Sequence, residues 1–125
     1  MELRRAGKSG LLLSRLGLGT MTWGRDTDEH EAADQCRAFL DAGGNFLDTA
    51  ASYGDGDSER VIGGLIGMLF KRDEVAIATK AGISRHLGER VVDTSRSSLI
   101  SELDKSLQRL GTDYVDLWQV HTWDS

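Results

Sequence analysis

The chain alternates between two hydrophobic periods. From Asp28 to Ala42, the apolar residues Ala32, Cys36, Phe39 and Leu40 recur at three- and four-residue intervals, which makes one face of a helix. Asp28, followed three residues later by Glu31, reads as an N-terminal capping box, and Gly43 as the stop. A second helical pattern starts near Asp57 or Ser58 and carries Val61, Ile62, Leu65, Ile66 and Leu69. A third runs from about Ser95 to Leu110 on the stripe Leu99, Leu103, Leu107 and Leu110, closed by Gly111. Between these lie apolar runs too brief for helices: residues 16–20, Phe46-Leu47, residues 75–79 and residues 114–120. These predict strands. Ahead of them, Leu3-Arg4-Arg5 and Leu11-Leu12-Leu13 flank a turn containing Gly7, Lys8, Ser9 and Gly10, the pattern of a hairpin. The stretch from Ile83 to Asp93 reads as a polar loop.

Strands that alternate with amphipathic helices imply parallel pairing, because each helix carries the chain back to the edge where the next strand begins. The strand ends fall at Thr20, Asp48, Lys80 and His121, about 30 to 40 residues apart. Repeats of that size, doubled, would give the roughly 250 residues of a (β/α)8 barrel. The expected fold class is therefore α/β of the TIM-barrel type, here an N-terminal hairpin plus about four parallel strands and three helices: a half barrel. No linker or low-complexity run divides it, so residues 1–125 are expected to form one unit. The first and last strands of such a sheet would each present an unpaired edge, a template for self-association.

Composition narrows what such a unit can do. With 15 basic against 20 acidic residues and a net charge of −5, nothing forms the basic stripe that nucleic acid demands. The longest apolar stretch, Val61 to Phe70, is far short of the roughly 20 residues that span a bilayer. The opening MELRRAGKSG lacks the apolar run of a signal peptide, and the single cysteine, Cys36, cannot form an internal disulfide. A reducing, cytoplasmic setting is expected, with neither membrane nor nucleic acid as partner. No metal is expected either. His30-Glu31-Ala32-Ala33-Asp34 ends in aspartate where a zinc helix needs its second histidine, and Arg60 stands where a calcium loop beginning at Asp55 needs glycine. Gly17-Leu18-Gly19 begins like a dinucleotide fingerprint, but Thr22 occupies the place of the third glycine.

The polar residues at the strand ends carry the candidate chemistry. Asp48, Lys80 and His121 each sit where a strand stops, and Tyr53 follows just past the first of them. In parallel α/β folds, sites are built at the C-terminal ends of strands, so adjacent strands would bring the four together. Each residue also has a plainer reading: Asp48 as a turn cap, Tyr53 as half-buried packing, Lys80 as a solvated lysine, His121 as a satisfied structural histidine.

The segments around these four residues resemble the aldo-keto reductases. The resemblance rests on "LGLGTMTWG" at 16–24, "FLDTAASYGDGDSERVIGGLI" at 46–66, "ATK" at 78–80 and "LDKSLQRLGTDYVDLWQVH" at 103–121. It covers essentially this whole chain, but only the first half of a family member. It implies an NADPH-dependent reductase of aldehydes and ketones with a catalytic tetrad of Asp48, Tyr53, Lys80 and His121. Hydride transfer to a carbonyl puts negative charge on its oxygen, so a proton donor must stand beside it. A free phenol is a feeble acid at neutral pH, and an ammonium within about 4–6 Å stabilises the phenolate. Lys80 would provide that charge, Asp48 would keep it ionised, and His121 would orient the carbonyl. By the same resemblance Gly19, Thr20, Met21 and Asp48 lie near the cofactor, and His121, Trp23 and Tyr53 near the substrate, with Trp23 as a wall of the substrate pocket and core packing as its nearest alternative.

In barrels of this kind the cofactor phosphates are usually gripped by loops after strands 7 and 8, which a half barrel does not have. The expectation is thus a fragment with weak or no activity of its own. Its class of small carbonyl substrates is legible, but the particular substrate and the choice between NADPH and NADH are not. The contrasting expectation is a non-catalytic, cofactor-sensing relative, like the channel-associated β subunits; the intact tetrad favours the enzyme.

Overall fold

The computed structural model describes residues 1–125. Its centre is a four-stranded parallel sheet formed by β3 (Leu18–Gly19), β4 (Phe46–Asp48), β5 (Ala76–Ala81) and β8 (Leu117–Val120), in that spatial order. Helices α1 (Glu29–Asp41), α2 (Asp57–Leu65) and α3 (Arg96–Leu110) carry the chain from strand to strand. An antiparallel hairpin, β1 (Leu3–Arg5) with β2 (Leu12–Ser14), precedes them. β3 and β8 are the two outer strands of this sheet.

Register explains which side chains reach which face. Leu47 pairs with Ile77, and both are fully buried against Ala32 and Cys36 of α1, Ile62 and Leu65 of α2, and Leu110 of α3. Each such aliphatic side chain contributes about 1.5–3 kcal/mol when fully buried. Because side chains alternate along a strand, Asp48, Ala78, Lys80 and Gln119 occupy the opposite face. The apolar layer beneath the helices therefore holds a polar row on the other side of the same sheet.

Local chemistry sets the ends of the elements. Asp28 Oδ1 accepts the Glu31 N–H at 2.9 Å and starts α1, so half of the expected capping box is present. Ser95 Oγ does the same for α3, and Gly111 closes that helix in the left-handed region. Asn45, just before β4, accepts the Ser14 N–H at 2.7 Å and donates to Leu12 O, which pins the hairpin to the N-terminal end of the sheet. At the same end Asp116 Oδ2 accepts from the Ile77 N–H and from Arg72 Nη2, fixing the entry of β8 beside β5.

Two elements differ from the sequence expectation. The apolar stripe of the second helix runs to Leu69, but α2 ends at Leu65, where Ile66 turns extended and Gly67 takes φ +85°. Leu69 and Phe70 still pack on the core, now from a tight turn, so hydrophobicity persists after helical geometry has stopped. Residues 83–93 are not a loop. They form a hairpin, β6 (Ile83–His86) with β7 (Glu89–Val92), around Leu87 and Gly88, both at positive φ. A two-residue turn of this hand normally announces itself with Asn-Gly or Asp-Gly, and leucine hides it.

Cys36 is wholly buried on the core face of α1, as its helical position predicts. Burial pushes its thiol up to about 11, only partly offset by Arg37. The folded chain is therefore expected to leave a disulfide-exchange reagent unreacted at pH 8 and to react fully in urea. Rapid labelling without denaturant would mean that α1 is not docked.

Candidate active site

Asp48 stands at the last position of β4, directly beside Gly19 of β3 and Ala78 of β5. Past it, the chain stays laddered to β5: Thr49 N–H donates to Ala78 O, and Ala51 N–H to Lys80 O at 3.0 Å. The small residues Ala50 and Ala51 allow that close course, both buried. The backbone then reverses through Gly54, Asp55 and Gly56, all with positive φ (58°, 52° and 98°). Three consecutive left-handed residues account for the glycines of this stretch. The reversal places the Tyr53 ring above the end of β5.

Lys80 gathers the site. Its Nζ donates to Asp48 Oδ2 at 2.9 Å and to Thr49 O at 2.9 Å, and lies 3.4 Å from Tyr53 Oη. The ammonium is half in the protein, with 14% of the Lys80 side chain exposed against 34% for Asp48. His121 arrives from β8, its N–H bonded to Ala81 O at 2.8 Å, and meets the Tyr53 ring edge-on at 5.7 Å between centroids. Burial holds the His121 imidazole below its ordinary pKa, with help from the Lys80 charge; Asp48 opposes this and Arg90 reinforces it. That direction favours the neutral imidazole. All four side chains named from the strand ends thus come together.

The remaining sequence candidates divide. Gly19 has nothing within 4 Å of where a Cβ would stand, and Met21 is 57% exposed, so both leave open surface beside Asp48. Thr20 is different. Its Oγ1 donates to Asp48 O and accepts from Ser58 Oγ at 2.8 Å, inside a buried hydroxyl cluster that also holds Thr49. Its side chain ties the start of α2 to the sheet and is not free for a ligand. Trp23 likewise faces inward: it is 1% exposed, belongs to the core, and donates its indole N–H to Gln35 Oε1 at 2.9 Å. In this structure it is packing rather than a pocket wall. A concavity of about 720 Å³ sits among Arg72, Leu107 and Tyr114, at the opposite end of the strands from Lys80, and one of about 430 Å³ is lined by Ala51, Ser52 and Arg85.

Residues 15–125 match the model of the aldo/keto reductase family. The chain belongs to that family. Aldo-keto reductase YhdN of Bacillus subtilis is 40% identical over 97% of this chain, and the NADH-specific methylglyoxal reductase of Escherichia coli is 34% identical over 95%. Among solved structures, the aldo-keto reductase AKR11C1 of Bacillus halodurans in its holo form superposes with a TM-score of 0.86 at 36% identity over 96% of this chain. The chain spans 38% and 41% of the two curated relatives and 40% of that structure. The fold is therefore the aldo/keto reductase barrel in part. Aldo/keto reductases are oxidoreductases that act on carbonyl compounds with NAD(P)H. No helix is long and apolar enough to cross a membrane.

For a nicotinamide cofactor, the test is whether this end of an aldo/keto reductase offers it a seat. Gly19 gives flat, open backbone, and Asp48 keeps Oδ1 without a protein partner while Oδ2 holds Lys80, so an acceptor remains for a ribose hydroxyl. An open carboxylate oxygen beside bare backbone is compatible with such a group.

Two polar neighbours of these side chains are not singled out by the sequence. Glu59 is fully buried, accepts from Arg109 Nε and Nη2 at 2.9 and 2.7 Å, and accepts from Thr79 Oγ1 beside Lys80. An acid three residues before Ile62, on the apolar stripe of α2, was the available signal. Ser52 lies 3.4 Å from His121 Nδ1, and nothing in its local sequence marks it.

Proposed function

We propose that this chain is the nicotinamide-facing, catalytic half of an NADPH-dependent reductase that converts small aldehydes and ketones to alcohols. The observation that carries the reading is the position of Lys80 Nζ, shared between Asp48 Oδ2 at 2.9 Å and Tyr53 Oη at 3.4 Å. When bound, the nicotinamide supplies a hydride to the carbonyl carbon. The carbonyl oxygen takes its proton from Tyr53 Oη, which completes the alcohol and leaves a phenoxide. The Lys80 ammonium stabilises that phenoxide, and Asp48, ion-paired to it at 2.9 Å, holds it in place. His121, neutral, donates to the same carbonyl oxygen and fixes its approach to Tyr53. Solvent returns the proton to Tyr53 between turnovers.

Gly19, Met21 and Asp48 are the positions proposed to border the cofactor. The meeting of four chemically matched groups favours catalysis over a cofactor-sensing role.

The test joins residues 1–125 to the C-terminal portion of the Bacillus subtilis relative. The hybrid is expected to oxidise NADPH with simple aldehydes, whereas the chain alone shows weak turnover or none. A folded hybrid that binds NADPH but reduces no aldehyde would sink the catalytic reading. Full activity from the chain alone would instead overturn its description as a partial site.

A further inference from the structure

His121 can orient a carbonyl only if its proton is on the nitrogen that faces the substrate. A neutral imidazole has one N–H and one bare nitrogen, and the partner of one nitrogen decides the state of the other. Here Nδ1 is 3.4 Å from Ser52 Oγ, while Nε2 has no protein partner. The Ser52 hydroxyl makes no other hydrogen bond, so its proton is free to go to Nδ1. An imidazole nitrogen is also a better acceptor than a hydroxyl oxygen, which favours O–H···N over the reverse.

We propose that Ser52 is a positioning residue that holds His121 in the Nε2–H tautomer, ready to donate to a substrate carbonyl. The backbone supports this role. Ser52 sits between Ala51, whose N–H is bonded to Lys80 O at 3.0 Å, and Tyr53, which lies edge-on to the His121 ring at 5.7 Å. The same short segment thus sets both the proton donor and the orientation of its partner. Three charged groups act on the imidazole: Lys80 from β5, Asp48 from β4 and Arg90 from β7. Ser52 is the one side chain in direct hydrogen-bond reach of a ring nitrogen.

The inference rests on the proposed role of His121, but it can be tested without turnover. Nitrogen-15 NMR of the imidazoles distinguishes a bare from a protonated ring nitrogen. His121 is separated from His30 and His86 by comparison with His121→Gln. At pH 8 the wild-type chain is expected to show a bare Nδ1 and a protonated Nε2. Ser52→Ala should move both resonances toward each other as the tautomers mix, and Ser52→Thr, which keeps the hydroxyl, should restore the separation. A wild-type Nδ1–H, or a tautomer ratio that ignores Ser52→Ala, overturns the proposal. In the hybrid enzyme, Ser52→Ala should raise KM for the carbonyl and leave cofactor affinity unchanged. If the tautomer responds as expected while the hybrid reduces nothing, the reductase reading fails and the hydrogen bond stands.

Discussion

Tyr53→Phe in the hybrid reductase is expected to lower kcat for aldehyde reduction by about 10²–10⁴-fold, the range associated with losing a positioned proton donor. The ring, its edge contact with His121 and its place over Lys80 are retained, so the fold and NADPH affinity should not change. What disappears is the one hydroxyl within reach of both the Lys80 charge and the space beside His121. A companion change separates this from general damage. Lys80→Met keeps the hydrocarbon stem but removes the charge that stabilises the phenoxide, and it should also lower kcat. Combining the two should cost little more than either alone, because the lysine acts through the phenol. Additive losses would mean that Tyr53 and Lys80 do not work as a unit, and unchanged kcat in Tyr53→Phe would remove tyrosine from the mechanism.

Much of the arrangement behind that experiment is legible in the sequence, for a physical reason. In a parallel sheet, a polar residue at the end of an apolar run has few places to go but the C-terminal face, and strand order then brings such residues together. Asp48, Lys80 and His121 are visible for that reason, and Tyr53 because it follows just past the first of them. The hairpin of residues 83–92 is not visible, because Leu87 at φ 49° takes a position usually signalled by Asn or Asp. Period alone also cannot locate the end of α2, since the core needs Leu69 and Phe70 whether or not they are helical. Thr20 and Trp23 look like site residues because they adjoin the right motif. Only packing shows that one completes a buried hydroxyl cluster and the other the core.

Arg109→Met is expected to be the most damaging single substitution for stability. Glu59 is fully buried, and both of its carboxylate oxygens are engaged: Oε1 by two Arg109 nitrogens, Oε2 by Thr79 Oγ1. Arg109, with 14% of its side chain exposed, lies against Gly56, where a Cβ would stand 2.6 Å from its Cδ. The pair therefore clamps the loop that carries Tyr53, the strand that carries Lys80 and the last turn of α3. Removing one partner strands a charge in the interior, which typically costs about 3–5 kcal/mol. Against the roughly 5–15 kcal/mol of a whole domain, that loss removes a large share of the stability and should move the urea midpoint well down. Urea denaturation followed by circular dichroism measures it directly. The double substitution Glu59→Leu with Arg109→Met is the sharper arm. Replacing both charges with apolar groups removes the uncompensated carboxylate, so the double variant should recover much of what Arg109→Met loses. If the double variant is instead less stable than the single by the full cost of a second lesion, the two residues stabilise the fold independently and the clamp is not a pair.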